Sequence, residues 1–174
     1  MQSFANFSAG PISISLFVSD VEYTAALVYL EALRDCFPEV KKQVAFHFTD
    51  PTKRPLKYTL ELHNLLRGYL ENKLSEEGSK EVTLRCQALV GKDVASDLIR
   101  WAVQKTYKAK EGNDFTDWRR TMAYPQNLLR NLAKAGCQTE YTMVPDIDMI
   151  PNTGLDLMLE EFIRNRKTPA RYAH

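Results

Sequence analysis

The sequence predicts an α/β domain in which strands and amphipathic helices alternate along the chain. Ile12, Ile14 and Leu16 alternate with serines, helical spacing of apolar residues follows, and alternation resumes in residues 43–49. The order strand, helix, strand is typical of a parallel sheet. The 174 residues fit one domain, and a hydrophobic content of 44% is sufficient for a packed core.

The first three elements follow from local spacing. A strand is predicted over Pro11–Val18, because its side chains alternate with a period of two. Ser19 and Glu22 then have the spacing of a capping box, which starts a helix that Pro38 brings to an end. The second strand is predicted over Gln43–Thr49. Together they predict a β-α-β unit.

The middle of the chain continues the alternation. Asp50–Pro55 is predicted as a turn and Leu56–Leu74 as a helix with leucines at helical spacing. Glu81–Leu89 alternates and predicts a third strand, and Asp93–Tyr107 returns to helical spacing. Lys108–Asp117 is charged and contains a glycine, so it is predicted as an exposed loop.

A further helix is predicted after Tyr124, with Pro125 in the first helical position and Gly136 as its stop. Its predicted buried stripe consists of Leu128, Leu129, Leu132 and Ala133.

The opposite face of that helix is polar. Asn127, Arg130, Asn131 and Lys134 fall at i, i+3, i+4 and i+7, so they share one ridge. The pattern is compatible with a binding surface, and a solvated helix face is the alternative interpretation.

An acidic pair follows. Thr139–Val144 is predicted as a buried strand that carries Asp146 and Asp148 to its carboxyl end, and Thr153 with Asp156 has the spacing that begins another amphipathic helix. In open α/β sheets, ligands lie outside the carboxyl ends of the strands. The acidic turn is therefore a candidate binding site.

Two carboxylates one residue apart at a strand end can supply oxygen ligands to Mg²⁺ or Mn²⁺. Such an ion offsets the charge of a diphosphate leaving group. Phosphohydrolases that form an aspartyl phosphate also use this pattern, with Asp146 then as the nucleophile. Those enzymes place the motif on the first strand, whereas here it comes late in the chain.

Charge and cysteine content exclude several classes. The chain has 23 Lys+Arg against 22 Asp+Glu, a net charge of +1. The protein therefore has no strong positive electrostatic field that would attract nucleic acid. No apolar run is long enough to cross a bilayer, and the first residues lack a secretory signal, so we expect a soluble chain. Cys36, Cys86 and Cys137 can form at most one bridge, and we expect buried free thiols.

The pattern Tyr124-Pro125-x-Asn127-x-x-Arg130-Asn131, followed by an apolar segment and Asp146-Ile147-Asp148-Met149-Ile150-Pro151, resembles glycosyltransferase family 49. The resemblance implies a GT-A-like (Rossmann-like) sheet with helices on both faces. It implies a partial domain over residues 10–165, followed by a basic tail over residues 166–174.

The resemblance also implies a function. The chain is expected to be the donor-binding part of an inverting glucuronyltransferase, which transfers glucuronate from UDP-glucuronate to a glycan acceptor of the O-mannosyl, α-dystroglycan type. Asp146 and Asp148 match the ligands of Mn²⁺ or Mg²⁺, and Asn127, Arg130 and Asn131 with Asp146 match the donor-binding residues. No residue matches the catalytic base.

Further expectations come with the family. Its members work in the Golgi lumen as type II membrane proteins, through an anchor that this chain lacks, and they associate with other glycosyltransferases. No nucleic-acid partner is expected.

The chain departs from the family in two respects. Pro145 stands where relatives have an apolar residue with a free N–H. By the resemblance, we also expect this chain to lack the second half of the family domain, which carries a histidine metal ligand. His47, His63 and His174 do not match that ligand and are expected to be structural or solvated. The alternative function is therefore a truncated, non-catalytic α/β domain that acts only by protein association.

Overall fold

The computed structural model describes residues 11–51, 54–77, 81–91, 93–139, 141–144 and 154–165. Within these residues the chain forms two strands and eight helices. Their bounds are β1 Ile12–Phe17, α1 Val21–Cys36, α2 Pro38–Gln43, β2 Val44–Thr49, α3 Leu60–Glu77, α4 Val82–Leu89, α5 Val94–Thr106, α6 Ala109–Thr121, α7 Gln126–Ala135 and α8 Leu155–Asn165.

The predicted β-α-β unit is confirmed. β1 and β2 pair in parallel, with Ile12 opposite Val44 and Phe17 opposite Thr49. The Glu22 carboxylate accepts hydrogen bonds from the Ser19 amide at 2.9 Å and the Ser19 hydroxyl at 2.6 Å. The carboxylate half of the predicted capping box is therefore present at the start of α1.

Helices pack against both faces of this two-stranded sheet. On one face, Leu16, Phe46 and Phe48 pack against the main hydrophobic core. On the other face, α7 packs against both strands, and Gly136 at its end lies next to Ser13 and His47. The α/β class is thus confirmed, while a larger GT-A-like sheet and the boundaries at residues 10 and 165 stay predictions.

The core is built mainly by α1, α3 and α5. Val28, Leu33, Leu66 and Leu98 are buried at its centre. The predicted helices over residues 56–74 and 93–107 are confirmed, with small shifts of their ends. Each contributes one apolar stripe, and burial of these stripes supplies the main favourable free energy of folding.

The predicted third strand over Glu81–Leu89 is wrong, because these residues form helix α4. Cys86 and Leu89, three residues apart, both face the core. Alternation over so few residues does not distinguish a strand from a helix, and here tertiary contacts decide. The expectation of free thiols is also wrong for two cysteines, since Cys36 and Cys86 form a disulfide, whereas Cys137 is free.

The predicted exposed loop over Lys108–Asp117 is wrong as well, because it lies largely within helix α6. Phe115 is only 2% exposed, so one aromatic side chain anchors an otherwise polar helix. Gly112 allows close packing, since a Cβ there would lie 3.4 Å from Val103 Cγ1. Because most residues of this segment are charged or polar, the contacts of Gly112 and Phe115 could not be predicted from the sequence.

The predicted buried strand over Thr139–Val144 is also wrong for its described residues. Thr139 and residues 141–144 are irregular and exposed. A strand needs a neighbour to take its backbone hydrogen bonds, and β1 and β2 form the whole of the described sheet. The helix expected beyond it is confirmed as α8, although Leu157, Met158 and Phe162 are exposed.

Among the described residues, no helix is both long enough and apolar enough to cross a membrane.

Candidate functional site

Helix α7 presents the predicted polar face to solvent. Asn127, Arg130, Asn131 and Lys134 are all exposed, whereas Leu129 is 5% exposed and faces the protein. Two details of the prediction are wrong: Leu128 is 49% exposed, and Pro125 takes the N-cap position before the helix begins at Gln126. The buried stripe of α7 is therefore narrower than predicted, and most of the helix surface is exposed to solvent.

The end of α7 is held against the sheet at Gly136, which caps the helix as predicted. A Cβ at this position would lie 2.1 Å from His47 Nε2 and 2.7 Å from Ser13 Oγ. A glycine is therefore required for this close approach, which fixes α7 on the sheet and turns its polar face outward.

Asp146 and Asp148 lie outside the described residues, as do the basic tail and His174. Their placement beside Asn127, Arg130 and Asn131 stays a prediction. The chemistry of the pair fits a hard divalent cation, because such ions prefer carboxylate oxygens. Within the described ranges, no three His, Cys, Asp or Glu side chains come together to hold a metal ion.

The two described histidines occupy structural positions. His47 lies on β2 beneath the end of α7, and the Nε2 atom of His63 on α3 is 3.0 Å from the Glu31 carboxylate on α1. This agrees with the structural roles expected for them.

The carboxyl end of β1 carries a polar cluster that was not predicted from the sequence. Asp20, just past the strand, has φ 48° and ψ −122°, a sparsely populated conformation for a residue with a side chain. The Tyr107 hydroxyl donates to Asp20 Oδ2, and Arg54 Nη1 lies 3.8 Å from the same oxygen. Asp20 Oδ1 is buried without a hydrogen-bond partner in the described part of the chain.

The environment of Tyr107 favours its protonated hydroxyl. Burial raises the pKa of this tyrosine, and its hydrogen bond to the Asp20 carboxylate raises the pKa further. The hydroxyl therefore remains a hydrogen-bond donor at physiological pH.

Arg119 fixes α6 to the same end of the sheet. Its Nε donates to both Glu22 carboxylate oxygens at 3.1 and 3.2 Å, and its Nη2 donates to the Phe17 carbonyl at 3.1 Å. The guanidinium also lies 5.0 Å from the centre of the Phe17 ring. Because ligands of α/β sheets bind at this end, Arg119 and Asp20 are placed next to a potential binding crevice.

A cavity of about 560 Å³ lies beside Arg119, between α5 and α6, with Glu22 at its border. The volume is within the usual range of small-molecule sites. This cavity could not be predicted from a loop over residues 108–117, because a helix forms one of its walls. The one local signal for a site at this end of the sheet is Asp20, which follows the first predicted strand closely.

The comparisons with known proteins agree with the motifs. The family described as "Glycosyl-transferase for dystroglycan" matches residues 1–174. Beta-1,4-glucuronyltransferase 1 of Bos taurus is 30% identical over 159 residues, which cover 91% of this chain and 32% of that protein. The same enzyme of Homo sapiens is 29% identical over 157 residues, or 88% of this chain and 31% of that protein.

Xylosyl- and glucuronyltransferase LARGE2s of Gallus gallus is 46% identical over 50 residues, or 29% of this chain and 7% of that protein. No solved structure matches. The chain spans about a third of the length of the beta-1,4-glucuronyltransferase 1 relatives it matches. Since the family match extends over the entire chain, this protein belongs to glycosyltransferase family 49.

Proposed function

We propose that this chain is the donor-binding part of an inverting, metal-dependent glucuronyltransferase. Its donor is UDP-glucuronate, and its acceptor is a glycan of the O-mannosyl type found on α-dystroglycan. The observation that carries this proposal is the family match over residues 1–174, together with relatives that are named glucuronyltransferases.

The roles of the residues follow from their chemistry. Asp146 and Asp148 hold Mn²⁺ or Mg²⁺, whose charge offsets that of the UDP diphosphate. Arg130 offers a planar fork suited to a phosphate or a sugar carboxylate, and Asn127 and Asn131 offer amide hydrogen bonds. The shared exposed face of α7 supports a common role for these three side chains.

Turnover requires a base that activates the acceptor hydroxyl, and no residue of this chain is assigned that role. We therefore expect the chain to bind the donor more readily than it transfers the sugar.

The cellular setting is part of the same proposal. We place the full-length protein in the Golgi lumen as a type II membrane protein that associates with another glycosyltransferase. The Cys36–Cys86 disulfide supports an oxidising compartment, since such bonds persist there and are rare in the cytosol.

Calorimetric titration of UDP in the presence of Mn²⁺ tests the donor site. We expect binding by the natural sequence, loss of binding in Asp148→Ala, and unchanged binding in Asp35→Ala, which removes an exposed carboxylate of α1. Tighter binding of UDP-glucuronate than of UDP-glucose would support the donor assignment. Unchanged UDP binding in Asp148→Ala would remove the proposed metal role.

One observation favours a second candidate function, association with another protein chain. Helix α8 exposes Leu157 and Met158, and large apolar side chains that are exposed on one helix are typical of an interaction surface. The two functions are compatible, because a donor-binding part needs further protein to complete an active site.

A further inference from the structure

Asp20 is the one described residue other than glycine whose φ is positive. The Glu22 amide donates to the Ser19 carbonyl at 2.9 Å, so Asp20 is the first central residue of a four-residue turn. Its φ of 48° and ψ of −122° are close to the values of that position in a type II′ turn, which glycine normally occupies. A side chain here strains the backbone, whereas glycine would avoid the strain.

The carboxylate of Asp20 carries a second energetic cost. Its side chain is 17% exposed, and Oδ1 is buried without a hydrogen-bond partner in the described residues. A buried polar atom that lacks a partner lowers stability. These two costs oppose the favourable contacts of the side chain. Strain that a fold retains in this way is typical of functional sites.

Three segments of the chain meet at Asp20. The Tyr107 hydroxyl at the end of α5 donates to Oδ2, and Arg54 Nη1 lies 3.8 Å from the same oxygen. The Lys57 amide donates to the Asp20 backbone carbonyl at 3.1 Å. The Thr24 hydroxyl on α1 donates to the Lys57 carbonyl at 2.7 Å. Asp20 therefore joins the turn after β1 to the loop after β2.

Arg54 extends this junction to α6. Its guanidinium lies 5.2 Å from the centre of the Phe115 ring and 4.8 Å from the centre of the Trp118 ring. The Tyr107 ring stacks on Phe115, with 5.7 Å between the ring centres. The Asp20 carboxylate thus contacts both a cation and a hydroxyl that are packed on the same aromatic side chain. Loss of the carboxylate should loosen Arg54 and the loop that carries it.

Both connections lie where an α/β protein binds its ligand. β1 and β2 pair in parallel, so their carboxyl ends lie at the same edge of the sheet. The turn at Asp20 follows β1, and the loop with Arg54 and Lys57 follows β2. Ligands of open α/β sheets bind outside this edge. The relative position of the two connections therefore determines the shape of a site there.

We infer that Asp20 is a positioning residue, which fixes the connections after β1 and β2 in the arrangement that receives the nucleoside diphosphate of the donor. Because its side chain is largely buried, Asp20 acts through these two segments and not by contact with the ligand. The inference rests on the proposed function, which supplies the donor. Segments that are already in place raise the affinity for a ligand, because binding then requires less ordering.

The first test removes the side chain. Asp20→Gly should weaken UDP binding in the presence of Mn²⁺ about tenfold in calorimetric titration. Its thermal midpoint should equal or exceed that of the natural sequence, because relief of strain offsets the lost contacts. Asp20→Asn keeps an acceptor oxygen and should retain the UDP affinity within about twofold. Asp35→Ala, which removes an exposed carboxylate of α1, should change neither quantity.

A second variant acts on the same junction from α5. Tyr107→Phe removes the hydroxyl that donates to Asp20 and keeps the ring that stacks on Phe115. It should weaken UDP binding about threefold, and the double variant with Asp20→Gly should bind no more weakly than Asp20→Gly alone, since one residue acts through the other. Hydrogen exchange measures the junction without UDP. The amides of residues 54–59 should exchange about tenfold faster in Asp20→Gly.

Unchanged UDP affinity in Asp20→Gly, or unchanged exchange of residues 54–59, would overturn the inference. Weaker UDP binding with a lower thermal midpoint in both Asp20→Gly and Tyr107→Phe would also overturn it, because a general loss of stability would then explain the result. UDP binding that is lost in Asp148→Ala but unchanged in Asp20→Gly would remove the positioning role alone. A natural sequence that binds no UDP would remove the proposed donor site and this role with it.

Discussion

Gly136 decides how α7 sits on the sheet. Its φ of −76° is accessible to any residue, so the requirement for glycine comes from space and not from backbone conformation. The nearest atoms belong to Ser13 on β1 and His47 on β2, far away in the sequence. Two of these atoms, His47 Nε2 and Ser13 Oγ, are buried without hydrogen-bond partners in the described residues, so the end of α7 packs on polar atoms.

Gly136→Ala should therefore destabilise the fold. The new Cβ would overlap the His47 ring, and overpacking of this kind costs about 1–3 kcal/mol in the free energy of unfolding. Gly68→Ala in α3 is the matched control, because nothing lies within 4 Å of its Cβ position, and it should stabilise by about 0.5–1 kcal/mol. Urea denaturation measures the free energy of unfolding of both variants. A Gly136→Ala protein as stable as the natural one would show that α7 does not pack this closely.

Lys73 and Asp97 provide a second prediction for single residues. The hydrogen bond from Lys73, with its positive charge and that of Arg100, holds the pKa of Asp97 below the ordinary value of 3.8. Because the folded pKa is lower than the unfolded one, the pair stabilises the fold above about pH 4, and this contribution is lost as pH falls below 3.8.

Lys73→Met should thus lower stability at pH 6, and this loss should become smaller as pH falls below 3.8. Denaturation curves at several pH values test this, with Lys42→Met as the control, since the Lys42–Glu39 pair at 3.3 Å is exposed and contributes little. A stability loss in Lys73→Met that is independent of pH would contradict the pKa argument.

Among the elements, α4 depends most clearly on a distant contact. This helix of 8 residues is short for independent stability, and it is joined to the end of α1 by the Cys36–Cys86 disulfide. The Tyr29 hydroxyl also donates to the Leu89 carbonyl at 3.1 Å. Both contacts tie α4 to α1, so α4 owes its helical state to the core it covers.

Removal of the disulfide in a Cys36→Ser, Cys86→Ser variant should cost about 4 kcal/mol, from the loop entropy of a sequence separation of 50 residues. Cys137→Ser, which removes the free cysteine, should have a much smaller effect. Thiol titration of the denatured chain should find one thiol without reductant and three with it. Three thiols without reductant would show that the bond is absent.

At the scale of the whole molecule, the described residues of the last third include many exposed apolar side chains. Tyr124, Leu128, Tyr141, Met143, Leu157, Met158 and Phe162 are all at least 47% exposed. The chain also spans about a third of the length of the beta-1,4-glucuronyltransferase 1 relatives it matches. Further protein, in the same chain or another, is the natural cover for exposed apolar side chains of this kind.

We expect the isolated chain to self-associate through the exposed apolar side chains of α8. Sedimentation should show a rise in mass with concentration, and Met158→Lys with Phe162→Lys should reduce it, because a charge on the helix face opposes burial. Leu65→Lys, at a 48% exposed leucine of α3, is the matched control. A concentration-independent monomer would contradict the association function and leave donor binding to be judged by the UDP titration.

Local patterns determined a large part of this structure. The spacing of Ile12, Ile14 and Leu16, the Ser19–Glu22 pair and the leucines of α3 predicted their elements correctly, because period and capping are properties of neighbouring residues. The two spaced motifs identified the family in the same way, and they placed Asn127, Arg130 and Asn131 on one exposed face.

Contacts between distant residues decided the rest. The Cys36–Cys86 bond, the burial of Phe115, the Arg119–Glu22 pair and the Gly136–His47 approach join positions that no local period relates. These contacts stabilise α4 and α6 as helices and form the cavity between α5 and α6. The sequence by itself thus determined the first β-α-β unit and the family, and only the tertiary structure decided the short elements and the cavity, because packing against a common core overrides weak local preferences.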